Sequence, residues 1–152
     1  MKVLAVGCHP DDLEIGCYGT LAKYTKQGHD VAVCHIANGN LGHVVIMPDE
    51  LRKIRFNEAA SAAKIIGASH YSIDIGDLYV TAENDELVRK LTSVVREVQP
   101  DAVITHWEKD YMNDHIQTFY AAFRATFAAS CPHFELNTNP ASDPLAPIYH
   151  MD

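Results

Sequence analysis

The sequence predicts an α/β protein whose mostly parallel sheet is covered by helices on both faces and carries its chemistry beyond the carboxyl ends of the strands. Three observations lead there. Apolar runs of strand length alternate with helical patterns of ten residues or more. The runs are continuous, as in strands buried on both faces. Two of them, ending at Cys8 and Thr105, are followed at once by a histidine, the place where open α/β sheets bind their ligands.

The elements follow in order. Val3-Leu4-Ala5-Val6 forms the centre of a first strand, Lys2 to Cys8, which must stop before Pro10 because proline fixes its own φ and drives His9 into an extended conformation. From Leu13, the apolar positions Ile15, Leu21, Ala22 and Tyr24 recur at helical spacing and predict one helix ending at Gly28. Val31 to Ile36 is a second buried strand, and the turn-rich Asn38 to His43 after it is a candidate wall of an active site. Pro48-Asp49-Glu50 opens a helix from about Glu50 to Ile66, with Leu51, Ile54, Ala59, Ala62, Ala63 and Ile66 facing inward and Gly67 as the stop. His70 to Asp74 is a weaker strand, Asn84 to Val98 a helix, Asp101 to Thr105 a strand introduced by Pro100, and roughly Asp114 to Ala129 a last helix.

Composition narrows the function classes. The 152 residues suit one domain, residues 1–152, and 47% apolar with 21% charged residues is ordinary for a soluble globular chain. Twelve Lys and Arg against twenty Asp and Glu give a net charge of −8, which disfavours a nucleic-acid partner. No apolar stretch approaches the length of a membrane span or forms a signal peptide, so the expected address is the cytoplasm. Cys8, Cys17, Cys34 and Cys131 show no CxxC spacing and are expected to be reduced. Neither the dinucleotide fingerprint, the P-loop nor the G-x-S-x-G elbow occurs.

The remaining chemistry lies in Gly7-Cys8-His9-Pro10-Asp11-Asp12-Leu13-Glu14. His9 and Asp12, three apart across a sharp turn, can converge on one ion, leaving Asp11 to face a bound water. An alternative stands beside this: Asp11 or Asp12 could N-cap the following helix. At the other strand end, His106-Trp107-Glu108-Lys109-Asp110-Tyr111-Met112-Asn113-Asp114-His115 leads into a helix on the same sheet edge. His115 at that helix start can complete a two-His, one-carboxylate set with His9 and Asp12, leaving a coordination position open. Arg55 and Glu58, three apart on a helix, read by spacing alone as a solvated ion pair worth about 0.2–0.5 kcal/mol.

These segments resemble the PIG-L/LmbE-like zinc-dependent de-N-acetylases, which remove an acetyl group from N-acetylglucosamine-type sugars and related amides. The resemblance is carried by His9-Pro10-Asp11-Asp12-Leu13-Glu14-Ile15-Gly16 with Gly19-Thr20-Leu21-Ala22, by Arg55-x-x-Glu58-Ala59, and by Thr105-His106 through Asp114-His115. It extends to Ile148-Tyr149-His150-Met151-Asp152, similar to a late strand after which family members usually continue, so the chain is expected to lack their C-terminal part. The resemblance implies a three-layer Rossmann-like fold, one Zn2+ held by His9, Asp12 and His115, Asp11 as general base, and Arg55 in contact with an acetylated amino sugar or conjugate. It also implies homo-oligomers, while the charge and hydropathy above lead to neither nucleic acid nor membrane as an expected partner. Two histidines and a carboxylate suit Fe2+ as well. One departure matters. The family's general-acid histidine stands where this chain has Met112, so His106, Asp110 or Tyr111 must deliver the proton, Asp11 must shuttle it, or the protein is a catalytically weak metal- or ligand-binding relative. Asp114 reads as a second-shell or capping residue.

Overall fold

The computed structural model describes residues 1–135, 139–142 and 145–151. Its elements run β1 (Lys2–Gly7), α1 (Asp12–Gly16), α2 (Tyr18–Lys26), β2 (Asp30–Ala37), α3 (Pro48–Ile66), β3 (Ser69–Ile75), α4 (Asp85–Val98), β4 (Ala102–Thr105), α5 (Asn113–Ala129) and β5 (Ile148–His150). The strands form one five-stranded sheet in the order β3-β2-β1-β4-β5, and every pairing is parallel. Chain direction therefore gathers all five carboxyl ends on one edge. β1 is central, pairing Val3 to Gly7 with Val31 to His35 and Val3 to Val6 with Ala102 to Thr105.

Alternate residues of the strands supply two cores, one per face. Leu4, Val6, Ala32, Cys34, Ile36 and Val103 meet α4 and α5 through Leu87, Leu91, Ala122 and Ala125. Val3, Ala5, Val31 and Val33 meet Leu13, Cys17, Leu21 and Ala63 of the α1–α3 layer. This is the predicted three-layer arrangement. α4 starts where its sequence promises, since the Asn84 side chain accepts the backbone N–H groups of Glu86 and Leu87.

Three expectations are corrected. The helix read from Leu13 to Gly28 is two segments broken at Cys17, whose φ of −144° is not helical. The inward residues are Leu13, Cys17 and Leu21, spaced by four, so Ile15 falls on the opposite side and is 86% exposed. β1 ends one residue early, at Gly7. Of the late strand, β5 covers Ile148–His150, while Met151 leaves it buried with its N–H on the Thr105 carbonyl and Asp152 lies outside the described residues. No described helix is long and apolar enough to cross a membrane.

Gly7 couples this fold to the sheet edge. A Cβ there would lie 2.6 Å from Cγ of fully buried Leu13, the residue after Asp12. Gly7→Ala is expected to destabilise the protein by about 1–3 kcal/mol through overpacking, read as a lower urea midpoint at unchanged m-value. A loss under ~0.5 kcal/mol would mean that Leu13 has room to move.

Candidate metal centre

The turn after β1 is held by its own backbone. Ala37 N–H donates to the Cys8 carbonyl at 2.8 Å, and Cys8 N–H donates to His106 Nε2 at 2.9 Å, tying the end of β1 to the ends of β2 and β4. His9 N–H donates to Asp12 Oδ2 at 2.6 Å, while Asp12 N–H returns to the His9 carbonyl at 3.2 Å. Between them Asp11 has φ 125°, a conformation rare outside glycine that costs on the order of 1–3 kcal/mol. Asp11 occupies the N-cap position of α1 without a side-chain cap bond, and Asp12 spends its carboxylate on the turn. The capping alternative is therefore not what these residues do.

Asp12 Oδ2 is the meeting point. It lies 3.4 Å from His9 Nδ1, 3.2 Å from His115 Nε2 and 3.5 Å from His106 Nε2. Burial by itself would raise the Asp12 pKa, yet His106, His115 and His9, with the His9 N–H, hold it far below the usual carboxylate range. Burial also works against protonated His9 and His115, but the carboxylates facing them prevail and both pKa values rise, with Asp12 the foremost partner of each. At His106 burial wins and the pKa falls, despite Asp12. His106 stacks on His115 with ring centroids 4.0 Å apart.

Two groups bring their ligand atoms within 4.8 Å of one another, Cys8 with His9 and Asp12, and Asp12 with His106 and His115. The predicted set of His9, Asp12 and His115 is thus assembled around Asp12, but split between these groups, with the His9 and His115 rings 5.5 Å apart. Donor chemistry decides which atoms could hold a cation. Burial pushes the Cys8 thiol far above its ordinary range, so of these donors it gives up its proton least readily. His106 Nε2 already accepts the Cys8 N–H. His115 differs. Its Nδ1 lies 3.1 Å from Asp110 Oδ2, and that carboxylate keeps the proton on Nδ1; its Nε2 is buried without a hydrogen-bond partner and aims at Asp12. An orphaned imidazole lone pair beside an ionised carboxylate fits a divalent cation, with His9 as the third available donor.

The other expected residues fall close by. Arg55 Nη2 donates to Asp11 Oδ2 at 2.6 Å and to the Pro10 carbonyl, and its Nη1 reaches Glu58 at 2.8 Å. Spacing sees only the last of these. Asp110 holds His115 and accepts the Met112 N–H at 3.0 Å, so it is engaged as an acceptor on both oxygens. Tyr111 is 88% exposed with its ring 5.9 Å from that of His115. Asp114, buried at the start of α5, accepts the Leu78 N–H at 2.7 Å and lies 3.4 Å from His9 Nε2.

Asp77 escapes the sequence reading. Its buried carboxylate accepts the N–H groups of Gly39 at 2.8 Å and Leu41 at 2.9 Å, which shapes the predicted wall after β2. Gly39, at φ 74°, lies so close to the Arg55 side chain that a Cβ would sit 3.0 Å from Arg55 Cγ. The available signal was an acidic residue directly after Gly76 at the carboxyl end of β3.

Comparison with known proteins shows the family and the fold. The profile of the PIG-L family, described as GlcNAc-PI de-N-acetylase, matches residues 4–126. The chain is 30% identical to a 4-oxalmesaconate hydratase of Pseudomonas putida over 159 residues, covering 99% of this chain and 60% of the relative. It is 28% identical to a 1D-myo-inositol 2-acetamido-2-deoxy-alpha-D-glucopyranoside deacetylase of Thermobispora bispora, covering 98% of this chain and 58% of that one. The structure of N,N'-diacetylchitobiose deacetylase from Pyrococcus horikoshii superposes with a TM-score of 0.82 at 27% identity, over 92% of this chain and 56% of that one. The chain thus spans less than two thirds of the length of these relatives.

Metal content after loading with zinc and desalting distinguishes these donors. His115→Ala is expected to lose most bound metal, since one ligand typically contributes far more than the ~10–100-fold of an outer-shell partner, whereas Cys8→Ser keeps it. Equal loss in both variants would make the thiol a ligand.

Proposed function

The chain belongs to the PIG-L, GlcNAc-PI de-N-acetylase, family, and from that premise we propose that it is a zinc-dependent hydrolase removing the acetyl group of an N-acetylglucosamine-type sugar or related amide. The observation that carries this reading is the orphaned Nε2 of His115 aimed at Asp12 beside His9, next to a strained Asp11. In this reading His9, Asp12 and His115 hold the ion and Asp110 orients His115. A zinc ion held by these three residues would supply Lewis-acid polarisation of the amide carbonyl and lower the pKa of its water to about 7. Asp11 then takes the proton of the attacking water. Arg55 fixes the Asp11 carboxylate by a bond from Nη2, and the forced φ of Asp11 keeps it pointed away from the turn that occupies Asp12. Contact between Arg55 and substrate requires the guanidinium to exchange part of this pairing for the ligand.

Proton delivery to the departing amine is the weak step. Met112 carries no proton, His106 spends Nε2 on the Cys8 N–H, and Asp110 is an acceptor on both oxygens. Tyr111 and Asp11, after its work as base, are the groups left for it. A second reading is hydration of an unsaturated acid, in which the proton that Asp11 takes from water would return to the carbon that does not receive the hydroxyl, so that one group serves both transfers. The Pseudomonas putida relative named a hydratase gives that reading its substrate class.

Asp11→Asn is expected to reduce acetate release from N-acetylglucosamine conjugates by about 10²–10⁴-fold while zinc content stays at the wild-type level. Acetate release that survives this change would remove Asp11 as base, and absence of any zinc-dependent release, with hydration of 4-oxalmesaconate instead, would establish the hydratase reading. Met112→His restores an imidazole where the leaving amine needs a proton and is expected to raise deacetylase turnover by about 10²-fold; an unchanged rate would mean that proton delivery does not limit the reaction.

A further inference from the structure

A cavity of ≈ 860 Å³ opens between α3 and the strands β2 and β3. None of His9, Asp12, His106 or His115 lines it; Pro10 alone joins it to the turn after β1. Small-molecule sites typically span about 300–1,000 Å³. Its floor is unusual for a sheet face lying under a helix. On β2 that face carries Val31 and Val33 in the core, but on β3 it carries His70, Ser72 and Asp74, while the alternate residues Tyr71, Ile73 and Ile75 go to the opposite core.

The polar groups of this floor are held in place. Glu14 Oε2 lies 3.6 Å from Nε2 of His35, a residue 1% exposed, and His35 Nδ1 lies 3.4 Å from His70 Nε2. Both Glu14 Oε2 and His35 Nε2 are buried without a hydrogen-bond partner. The row from Glu14 through His35 sets the His70 ring at the cavity wall, where Phe56 meets it edge-on at 5.3 Å. Phe56 is 51% exposed.

Charge in the lining is balanced. Arg52 forks onto Asp74, with Nε to Oδ1 at 2.7 Å and Nη2 to Oδ2, and the positive charge of Lys53 is offset in the lining by the negative charge of Asp49. Burial, with His35 beside it, lowers the His70 pKa and keeps that ring uncharged. Among the described residues the side chains of Asn57 and Ser72 take part in no hydrogen bond, so their amide and hydroxyl are available to a ligand. An aromatic face, uncharged donors and acceptors and cancelling charges match a ring with an apolar C–H face and a rim of hydroxyls, rather than an anion or a cation.

We propose that the cavity between α3 and strands β2 and β3 is a second binding site, for a neutral polyhydroxylated ring such as a hexose or cyclitol, with Phe56 as its stacking platform and His70, Ser72 and Asn57 as its polar contacts. The test is an amide-detected NMR titration of the full chain with glucose, myo-inositol and, as an anionic control, citrate. Saturable shifts at Phe56, Asn57 and Ser72 with a neutral probe are expected, and they persist in His115→Ala because they need neither metal nor turnover; failure of the deacetylase reading leaves them untouched. Phe56→Ala, a change at an exposed position, weakens binding by about tenfold. A disaccharide that also shifts residues around Asp12 would identify the ring as part of the substrate, and shifts confined to the cavity a free ligand; either sustains the site. No saturable shift at these residues with either neutral probe, a preference for citrate, or unchanged affinity in both Phe56→Ala and Asn57→Ala overturns it.

Discussion

One buried carboxylate organises the sheet edge. Asp12 Oδ2 has three imidazole nitrogens within 3.5 Å and accepts the His9 N–H. Removing a carboxylate from water is costly, and a buried one persists only when charge and hydrogen bonds replace its hydration. The three histidines come from the ends of β1 and β4 and the start of α5, so those elements meet at this one oxygen, to which the His9 backbone N–H donates. The backbone cooperates, since the Cys8 peptide bonds to Ala37 on one side and His106 on the other. Parallel strands make such convergence available: their carboxyl ends lie on a single edge, and neighbouring ends are only about 5 Å apart.

Division of labour among the histidines follows from the second nitrogen of each ring. His115 has Asp110 on Nδ1 and so presents a bare Nε2. His106 receives a backbone N–H on Nε2 and becomes a rigid wall, stacked on His115. His9 stands between the carboxylates of Asp12 and Asp114. Sequence distinguishes none of these states, because the deciding partner is a backbone amide 98 residues away for His106 and a carboxylate in a preceding loop for His115.

That contrast sets what was legible in the chain. The alternation of continuous apolar runs with helical patterns revealed the layered parallel sheet, since both periods are local properties. His9-Pro10-Asp11-Asp12 was legible for a similar reason, because Pro10 forces a turn where titratable groups collect. The break at Cys17 was not, because Ile15 keeps helical spacing with Ala22 while the core selects Leu13, Cys17 and Leu21. Asp77 was invisible because its importance lies in accepting the Gly39 and Leu41 amides, 38 and 36 residues away. Arg55 read by spacing as half of a surface pair with Glu58, and only the fold brings it to Pro10 and Asp11.

Arg55 also connects the strained turn to the rest of the α3 layer. A residue at φ 125° reverts to an ordinary conformation unless its surroundings over-determine it. Here the constraint is double: Asp12 and His9 close the turn on one side, and the Arg55 guanidinium grips both the Pro10 carbonyl and the Asp11 side chain on the other. Gly39 makes that grip sterically feasible, for a side chain there would collide with Arg55, and Asp77 holds Gly39 in position. The chain Asp77, Gly39, Arg55, Asp11 therefore transmits the packing of β2, β3 and α3 to a carboxylate at the sheet edge that pairs with arginine rather than with histidine. The same strain that makes Asp11 unfavourable for folding keeps its carboxylate out of the histidine cluster and on the Arg55 guanidinium.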